Sequence, residues 1–99
     1  MAEALPDHGQ FTRLVDEAFT VASEATRQTM RLHSVSDLRR SGAFESFSVV
    51  LRGAANTPFA QGNYWVGHET LGDNQLFMVP LGLADGEMEY QLVFSRPLS

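Results

Sequence analysis

Two carboxylates near the C-terminus have a spacing that occurs in glycoside hydrolases. Glu87 and Glu89 alternate with Met88 and Tyr90, so on a β-strand their side chains point to the same side, about 7 Å apart. Two carboxylates at such a separation can act as the acid and the base of a glycosidase. This pair, however, directly follows a turn signal, Asp85-Gly86, and faces away from the apolar positions. We therefore expect two solvated surface carboxylates.

The other residues able to do chemistry do not combine into a recognisable site. His8, His33 and His68 lack the short spacing of metal ligands, which favours structural roles, with His68 hydrogen-bonded at the rim of the core. His33, Ser34 and Asp37 are near neighbours in sequence, which is not how a Ser-His-Asp triad is normally built. The chain has no cysteine, no phosphate-binding glycine loop, no nucleophile elbow and no zinc-protease motif. We therefore predict a protein that is not an enzyme and holds neither metal nor cofactor.

Composition and charge narrow the class of partner. A length of 99 residues fits one domain over 1–99, and a hydrophobic fraction of 43% is typical of globular proteins. The net charge is −5 and the seven cationic residues are dispersed along the chain, which disfavours nucleic acid and anionic membranes as partners. The sequence contains no membrane-spanning apolar run and no secretory signal. We expect a cytoplasmic protein.

One helix and six strands are predicted to carry these residues. A capping pair, Asp7 and Gln10, indicates the start of a helix over about 8–18. The apolar residues behind this pair recur at the spacing of one helical face, and they are Phe11, Leu14, Val15 and Ala18. Alternating apolar and polar residues between turn signals then predict strands over about 19–22, 28–38, 46–52, 62–68, 75–83 and 87–94.

These elements predict a mainly β fold, a small six-stranded antiparallel barrel or sandwich with one short N-terminal amphipathic helix. Within the strand over 28–38 the alternation changes phase near His33-Ser34, which predicts a β-bulge. The long loop after residue 53 contains a lone Phe59, and we expect its side chain to tuck beneath the barrel or sandwich.

The hairpin that contains the single tryptophan can be paired by its alternation. A three-residue loop, Thr70-Leu71-Gly72 with Gly72 in the left-handed conformation, places Trp65 opposite Phe77 and Asn63 opposite Val79. The next hairpin has two possible registers. A two-residue Asp85-Gly86 turn gives one of them, and a bulge at Pro80 would shift the pairing by one residue.

Trp65, Phe77 and Val79 would then share the outer face of the hairpin, where polar residues are usual. One interpretation is that the N-terminal helix packs on this surface or that the sheet curls over it. Another is an interface with a protein partner or a second copy, because large exposed apolar patches are uncommon on monomers and aromatic anchors dominate interfaces. A further one is stacking on a sugar ring.

An alternative function is a barrel that binds a small ligand or carbohydrate. Its pocket would lie between Tyr64, His68 and the loop that holds Phe59. His68 shares the inward face of Tyr64 in the strand over 62–68 and stands next to a turn.

The order of these segments resembles a family of small uncharacterised bacterial domains of about this length. The segments that carry the resemblance, over about 11–94, are 14–21, 35–38, 47–53, 61–64, His68 with Leu71-Gly72, 76–80, and Tyr90 with Val93-Phe94. Some of those domains are encoded near phage-tail-collar-type proteins. The resemblance supplies no catalytic residue and implies a bacterial protein, accessory to a tail-like or secreted assembly. We thus expect a non-enzymatic interaction or assembly module.

Overall fold

A computed structural model of the chain describes residues 7–97. It contains one short helix and seven strands, all paired antiparallel. The elements are α1 (His8–Thr12), β1 (Ala18–Ala22), β2 (Arg27–Val35), β3 (Arg39–Ser41), β4 (Phe44–Ala54), β5 (Gly62–His68), β6 (Gly72–Ala84) and β7 (Glu87–Pro97). The predicted mainly β class with a single N-terminal helix is confirmed.

Six of the strands close into a barrel. Their order is β2-β1-β5-β6-β7-β4, and β4 pairs again with β2. The short β3 is an additional arm that pairs only with the start of β4. Closure gives most backbone N–H and C=O groups of the barrel strands a partner on both sides, which an open sandwich cannot do at its edges. The choice between barrel and sandwich is therefore settled in favour of the barrel.

A bulge in β2 makes this closure possible. The first half of β2 pairs with β1 and its second half pairs with β4. Between Leu32 and Ser34 the register against β4 shifts by one residue, which leaves His33 as the extra residue. Because a bulge bends its strand and increases the twist, β2 can pass from one neighbour to the other. The predicted bulge is confirmed.

The helix is shorter than the predicted 8–18. Its capping box is present as predicted, since Asp7 Oδ1 accepts from the Gln10 N–H at 2.8 Å and the Gln10 side chain accepts from the Asp7 N–H. The helix ends at Thr12, however, and Asp16 takes a left-handed conformation with φ of 77°. The Asp16 N–H then donates to the carbonyl of Leu32, so the chain joins the sheet before further helical turns can form.

Several strand limits also differ from the predicted ones. The predicted strand over 28–38 ends at Val35, and β3 follows as a separate strand. β4 and β7 are longer than expected because they pair over their whole length, from Phe44 with Pro97 to Ala54 with Glu87. β6 starts at Gly72, directly after the turn. The polar ends of these strands do not alternate with apolar residues, so the sequence pattern could not show them.

The core fills the barrel from one end to the other. At one end Phe11 of α1 is 1% exposed and packs on three aromatic rings, Phe19, Phe47 and Phe94. At the other end Phe59 stacks on Tyr64, and its N–H donates to the Tyr90 hydroxyl at 2.7 Å. The expected burial of Phe59 is confirmed. Between the two ends lie buried aliphatic residues of all six barrel strands, Val21, Met30, Leu32, Val49, Leu51, Val66, Met78 and Leu92.

Candidate interaction surface

The β5–β6 hairpin positions the residues predicted to form a surface, but its register differs from the prediction by two residues. Trp65 lies opposite Gln75, and Phe77 lies opposite Asn63. The turn consists of 69–71, so His68 pairs directly with Gly72, whose φ is 73° as expected for a left-handed glycine. Because a shift of two residues preserves the alternation of a strand, Trp65 and Phe77 still share the outer face.

The turn has this position because two of its residues are held by the barrel. Leu71 packs against the core, which draws the turn over the rim. The N–H of Thr70 donates to Nδ1 of His68 at 3.0 Å. The packing of Leu71 depends on core residues outside the hairpin, so the hairpin pattern alone contains no sign of it.

Trp65 and Phe77 are open to solvent. Trp65 is 53% exposed and Phe77 is 50% exposed, whereas their strand neighbours Val66 and Met78 are buried. Val79 is partly exposed on the same outer face. Of the interpretations left open, packing of the helix on this surface is not observed in residues 7–97, because α1 directs Phe11 into the end of the barrel.

Two further apolar residues extend this surface. The β6–β7 pairing shifts by one residue between Pro80 and Gly82, so of the two possible registers the bulged one is formed. Leu81 is the extra residue at the bulge and is about half exposed. Val93 is 64% exposed on β7, one step beyond the last registered pair, Met78 with Leu92.

We call the surface of Trp65, Phe77, Val79, Leu81 and Val93 the outer apolar face. Its last two members, Leu81 and Val93, were not predicted from the sequence. The alternation of Val93 with the inward Leu92 and Phe94 was a signal that could have identified it.

A cleft beside Trp65 and a groove beside Val93 adjoin the outer apolar face. On the Trp65 side is an open cleft of about 560 Å³, lined by Trp65, Asp73, Arg27, Thr20 and Ala22. On the Val93 side is a groove of about 270 Å³, in which Arg39 lies among polar side chains. The remaining lining residues of this groove are Ser36, Ser46, Phe47, Ser48, Gln91 and Val93.

The three residues predicted to form a ligand pocket are separated by the barrel. Phe59 and Tyr64 stack at one end, with ring centroids 5.0 Å apart. His68 lies four residues further along β5, about 13 Å away at 3.3 Å per residue, with its ring 4.8 Å from that of Phe19 at the other end. The structure does not bring these three side chains together around one cavity.

His68 has a full set of partners in this position. Since a backbone N–H can only donate, the bond from Thr70 makes Nδ1 an acceptor, so the proton is on Nε2 and is donated to Glu17 Oε1 at 2.8 Å. The side chain is 5% exposed. This is the hydrogen-bonded histidine at the core rim that the sequence predicts.

The paired carboxylates of β7 are held in ion pairs on another part of the barrel surface. Glu87 accepts from Arg31 at 3.2 Å, and Arg31 also contacts Asp16. Glu89 accepts from Arg52 Nε at 2.9 Å, and the hydrogen bond raises the pKa of the Arg52 guanidinium. These carboxylates are therefore paired with arginines, and the expectation that they are simply solvated is wrong.

Other chemically capable residues are dispersed. His8 hydrogen-bonds the carbonyl of Ser36 at 2.8 Å, and His33 is the extra residue of the β2 bulge. Among residues 7–97 no three His, Cys, Asp or Glu side chains gather closely enough to hold a metal ion. Over the same residues no helix is both long enough and apolar enough to cross a membrane.

Comparison with known proteins identifies a family without an assigned activity. The model of a domain of unknown function (DUF6916) matches residues 6–94. Neither the curated proteins nor the solved structures gave a match to this chain. The comparisons therefore assign no functional residue.

Proposed function

This chain belongs to the DUF6916 family of domains of unknown function, and we propose that it is a non-enzymatic interaction or assembly module that binds a protein surface through its outer apolar face. The observation that carries this proposal is the half-exposed state of Trp65 and Phe77 on a strand pair whose inward residues are fully packed.

Burial of this face would contribute a large favourable free energy. Removing one large apolar side chain from water contributes about 1.5–3 kcal/mol, and tryptophan is among the residues that dominate interface energies. The barrel strands already use their backbone groups for closure. A partner would therefore bind by side-chain packing on the face, and strand addition would be confined to the short segments that lack a neighbour.

The alternative of a ligand-binding barrel has no comparable support, because Phe11 and Phe59 fill the two ends of the interior. A non-enzymatic role is supported by the ion pairs of Glu87 with Arg31 and of Glu89 with Arg52. We further propose a bacterial, phage-tail-like or secreted assembly as the setting. Its support is the resemblance of the segments over 11–94 to domains encoded near tail-collar-type proteins.

The fluorescence of the single tryptophan tests the exposed state on which the proposal depends. In dilute isolated protein we expect Trp65 emission to have the long wavelength of tryptophan in contact with water, since the residue is about half exposed. On binding, the emission should move to shorter wavelength as the face loses its water. An emission maximum that is short in dilute protein and independent of concentration would contradict the proposal.

Photo-cross-linking in the producing cells tests the binding itself. A photoreactive amino acid replacing Phe77 should form a covalent adduct with a protein, and Trp65→Ala in the same chain should reduce the adduct at least ~10-fold, as expected at an interface hot spot. The matched control places the same group at Val15, an exposed apolar residue that precedes β1. Equal adduct formation from the two positions would show that the face has no special role.

A further inference from the structure

We propose that the outer apolar face takes up its partner by strand addition, in which an extended apolar segment of another protein pairs with the free edge of β7 over 93–97. The inference rests on the proposed function, because it names the kind of segment that binds to the same face. It is carried by the backbone at the place where β6 and β7 separate, beside Phe77 and Val93.

The strands β6 and β7 are paired only as far as Met78 and Leu92. Beyond this pair β7 continues to Pro97, and over 93–97 its registered neighbour is β4, on one side. β6 runs from Gly72 to the same pair with β5 as its registered neighbour. Within residues 7–97 no strand is registered between these two stretches. We call the space between them the β6–β7 gap, and each of its sides is an unpaired strand edge.

The backbone of β7 directs hydrogen-bonding groups into the β6–β7 gap. On the side of β4 away from β7, Ser48 donates its N–H to Ser36 Oγ and accepts from the Ser36 N–H, both at 2.8 Å. Ser48 lies opposite Val93, so the N–H and C=O of Val93 also point away from β4. The same direction recurs two residues further along, at the exposed Ser95 opposite Ser46. In the described chain Ser95 has no side-chain or loop partner, so its N–H and C=O are available to a further strand.

The edge of β6 on the other side of the gap has the same character. Gln91 has the backbone direction of Val93 and faces Val79 as a hydrogen-bonded pair. Phe77, two residues before Val79, therefore also turns its backbone groups toward the gap. Phe77 and Val93 are at least half exposed on the outer surface. A strand added to β7 lies about 4.8 Å from it, so its outward side chains contact Val93 and extend toward Phe77.

Two other unpaired edges carry features that disfavour strand addition. β3 pairs only with β4 and presents the exposed Arg39 and Arg40, and charged side chains oppose pairing at an edge. The second half of β6 contains Pro80, which lacks an N–H, and the bulge at Leu81. The edge of β7 over 93–95 contains no charged residue, no proline and no bulge. A partner strand therefore meets the least hindrance at this edge.

An extended apolar segment satisfies both requirements of this edge. Its backbone can bond the N–H and C=O of Ser95, whereas the backbone groups of a preformed helix are already bonded along the helix. Its outward side chains remove Val93 and Phe77 from water, which is favourable for apolar groups. In strand addition the main-chain hydrogen bonds supply affinity and the alternate side chains supply specificity.

Peptides displayed on phage and selected on the full chain test this strand addition. Selection from random seven-residue sequences should enrich apolar residues suited to a strand. Ser95→Pro removes the N–H that faces the gap, so calorimetry should show at least ~10-fold weaker binding of a synthesised selected peptide. If no peptide is selected, or if a selected peptide binds Ser95→Pro as tightly as the wild type, strand addition is wrong.

Arg40→Pro is the matched control for the proline. Arg39 faces Ser46 as a hydrogen-bonded pair, so the next residue, Arg40, turns its N–H to the free side of β3. Because both prolines replace an N–H without a partner strand, both variants should fold like the wild type by circular dichroism. Arg40→Pro should bind the selected peptides with unchanged affinity. An equal loss in both variants would reveal a general effect of proline on these strands and would overturn the inference.

Hydrogen exchange of the Ser95 amide, followed by NMR, tests the edge without any substitution. In the isolated chain this amide should exchange fast, because no strand of the described chain covers it. A selected peptide should slow the exchange. Slow exchange in the isolated chain would mean that the edge is already paired, and the inference would be overturned.

Photo-cross-linking at Phe77 separates this inference from the proposed function. An adduct that is lost in Ser95→Pro and kept in Arg40→Pro supports strand addition. An adduct that is kept in Ser95→Pro shows that the face binds a folded surface, which supports the proposed function and overturns the inference. If Phe77 forms no more adduct than the control position Val15, the proposed function fails and the inference fails with it.

Discussion

Two regions on the outside of the same barrel differ in how their side chains are satisfied. On the region formed by β2, β4 and β7, Arg31 bridges Asp16 and Glu87, and Arg52 contacts Glu89 and Asp85. On β5, β6 and the end of β7, the outer apolar face carries aromatic and aliphatic groups, whose exposure to water is unfavourable. We call the first region the charged ladder. The strand β7 belongs to both, with Glu87 and Glu89 in the ladder and Val93 in the apolar face.

The two regions differ in whether their side chains have interaction partners within the chain. In the charged ladder each arginine finds its carboxylates within the chain, so this region needs no external partner. In the outer apolar face Trp65 and Phe77 remain half exposed after folding, and the hydrophobic effect favours their removal from water by another surface. The region without internal partners is therefore the one to test for binding.

The largest expected effect on stability comes from a residue inside the barrel. Phe11→Ala should lower the free energy of unfolding by about 3–5 kcal/mol, because the ring is fully buried among three other aromatic rings and leaves a cavity. Urea unfolding followed by circular dichroism measures the loss. A loss below about 1 kcal/mol would mean that α1 does not close the barrel as described, and that the helix could instead cover the outer face.

A smaller effect on stability is expected when ion pairs of the charged ladder are removed. Arg31→Met removes two partly exposed ion pairs and should cost about 0.2–1 kcal/mol of stability, an effect that shrinks as salt screens the charges. Urea unfolding at low and at high salt measures the loss of stability and its dependence on salt. The variant should keep the wild-type association through the outer apolar face. A change in association would show that the two regions are not independent.

The smallest effect on stability is expected in the outer apolar face. Phe77→Thr keeps a residue suited to a strand and should change the free energy of unfolding by no more than about 0.5 kcal/mol, because Phe77 is already about half exposed. The same substitution should abolish most of the association. Unfolding in urea and the affinity for a selected peptide measure the two quantities. A destabilisation approaching that of Phe11→Ala would show that Phe77 is packed within its own chain.

Much of the fold could be predicted because its signals are local. The capping box of Asp7 and Gln10, the alternation within β5, and the phase change at His33 each depend on a few neighbouring residues. The length of α1 could not be predicted in the same way. Its apolar spacing continues to Ala18, but the hydrogen bond of Asp16 with Leu32 in β2 ends the helix pattern, and that partner is 16 residues away.

The candidate site was predictable in part. Alternation alone placed Trp65, Phe77 and Val79 on one face, and this holds in spite of the register error because the error was an even number of residues. The predicted pocket is wrong. Tyr64 and His68 are on the same face of β5, but they lie at different ends of the barrel. Leu81 lies at the register shift of the last hairpin, which the sequence left open, whereas the alternation of Val93 with Leu92 and Phe94 was a local signal.

The sequence by itself determined the class of fold, the capped start of the helix, the bulge, and the faces on which side chains lie, because each follows from steric and hydrogen-bonding preferences between near neighbours. Only the tertiary structure decided that the sheet closes, that Phe11 enters the barrel, and that the outer apolar face is left open. These outcomes depend on which distant segments pack together. The packing that forms is the one that buries the most core surface in total, and no single segment of the sequence contains the information that decides it.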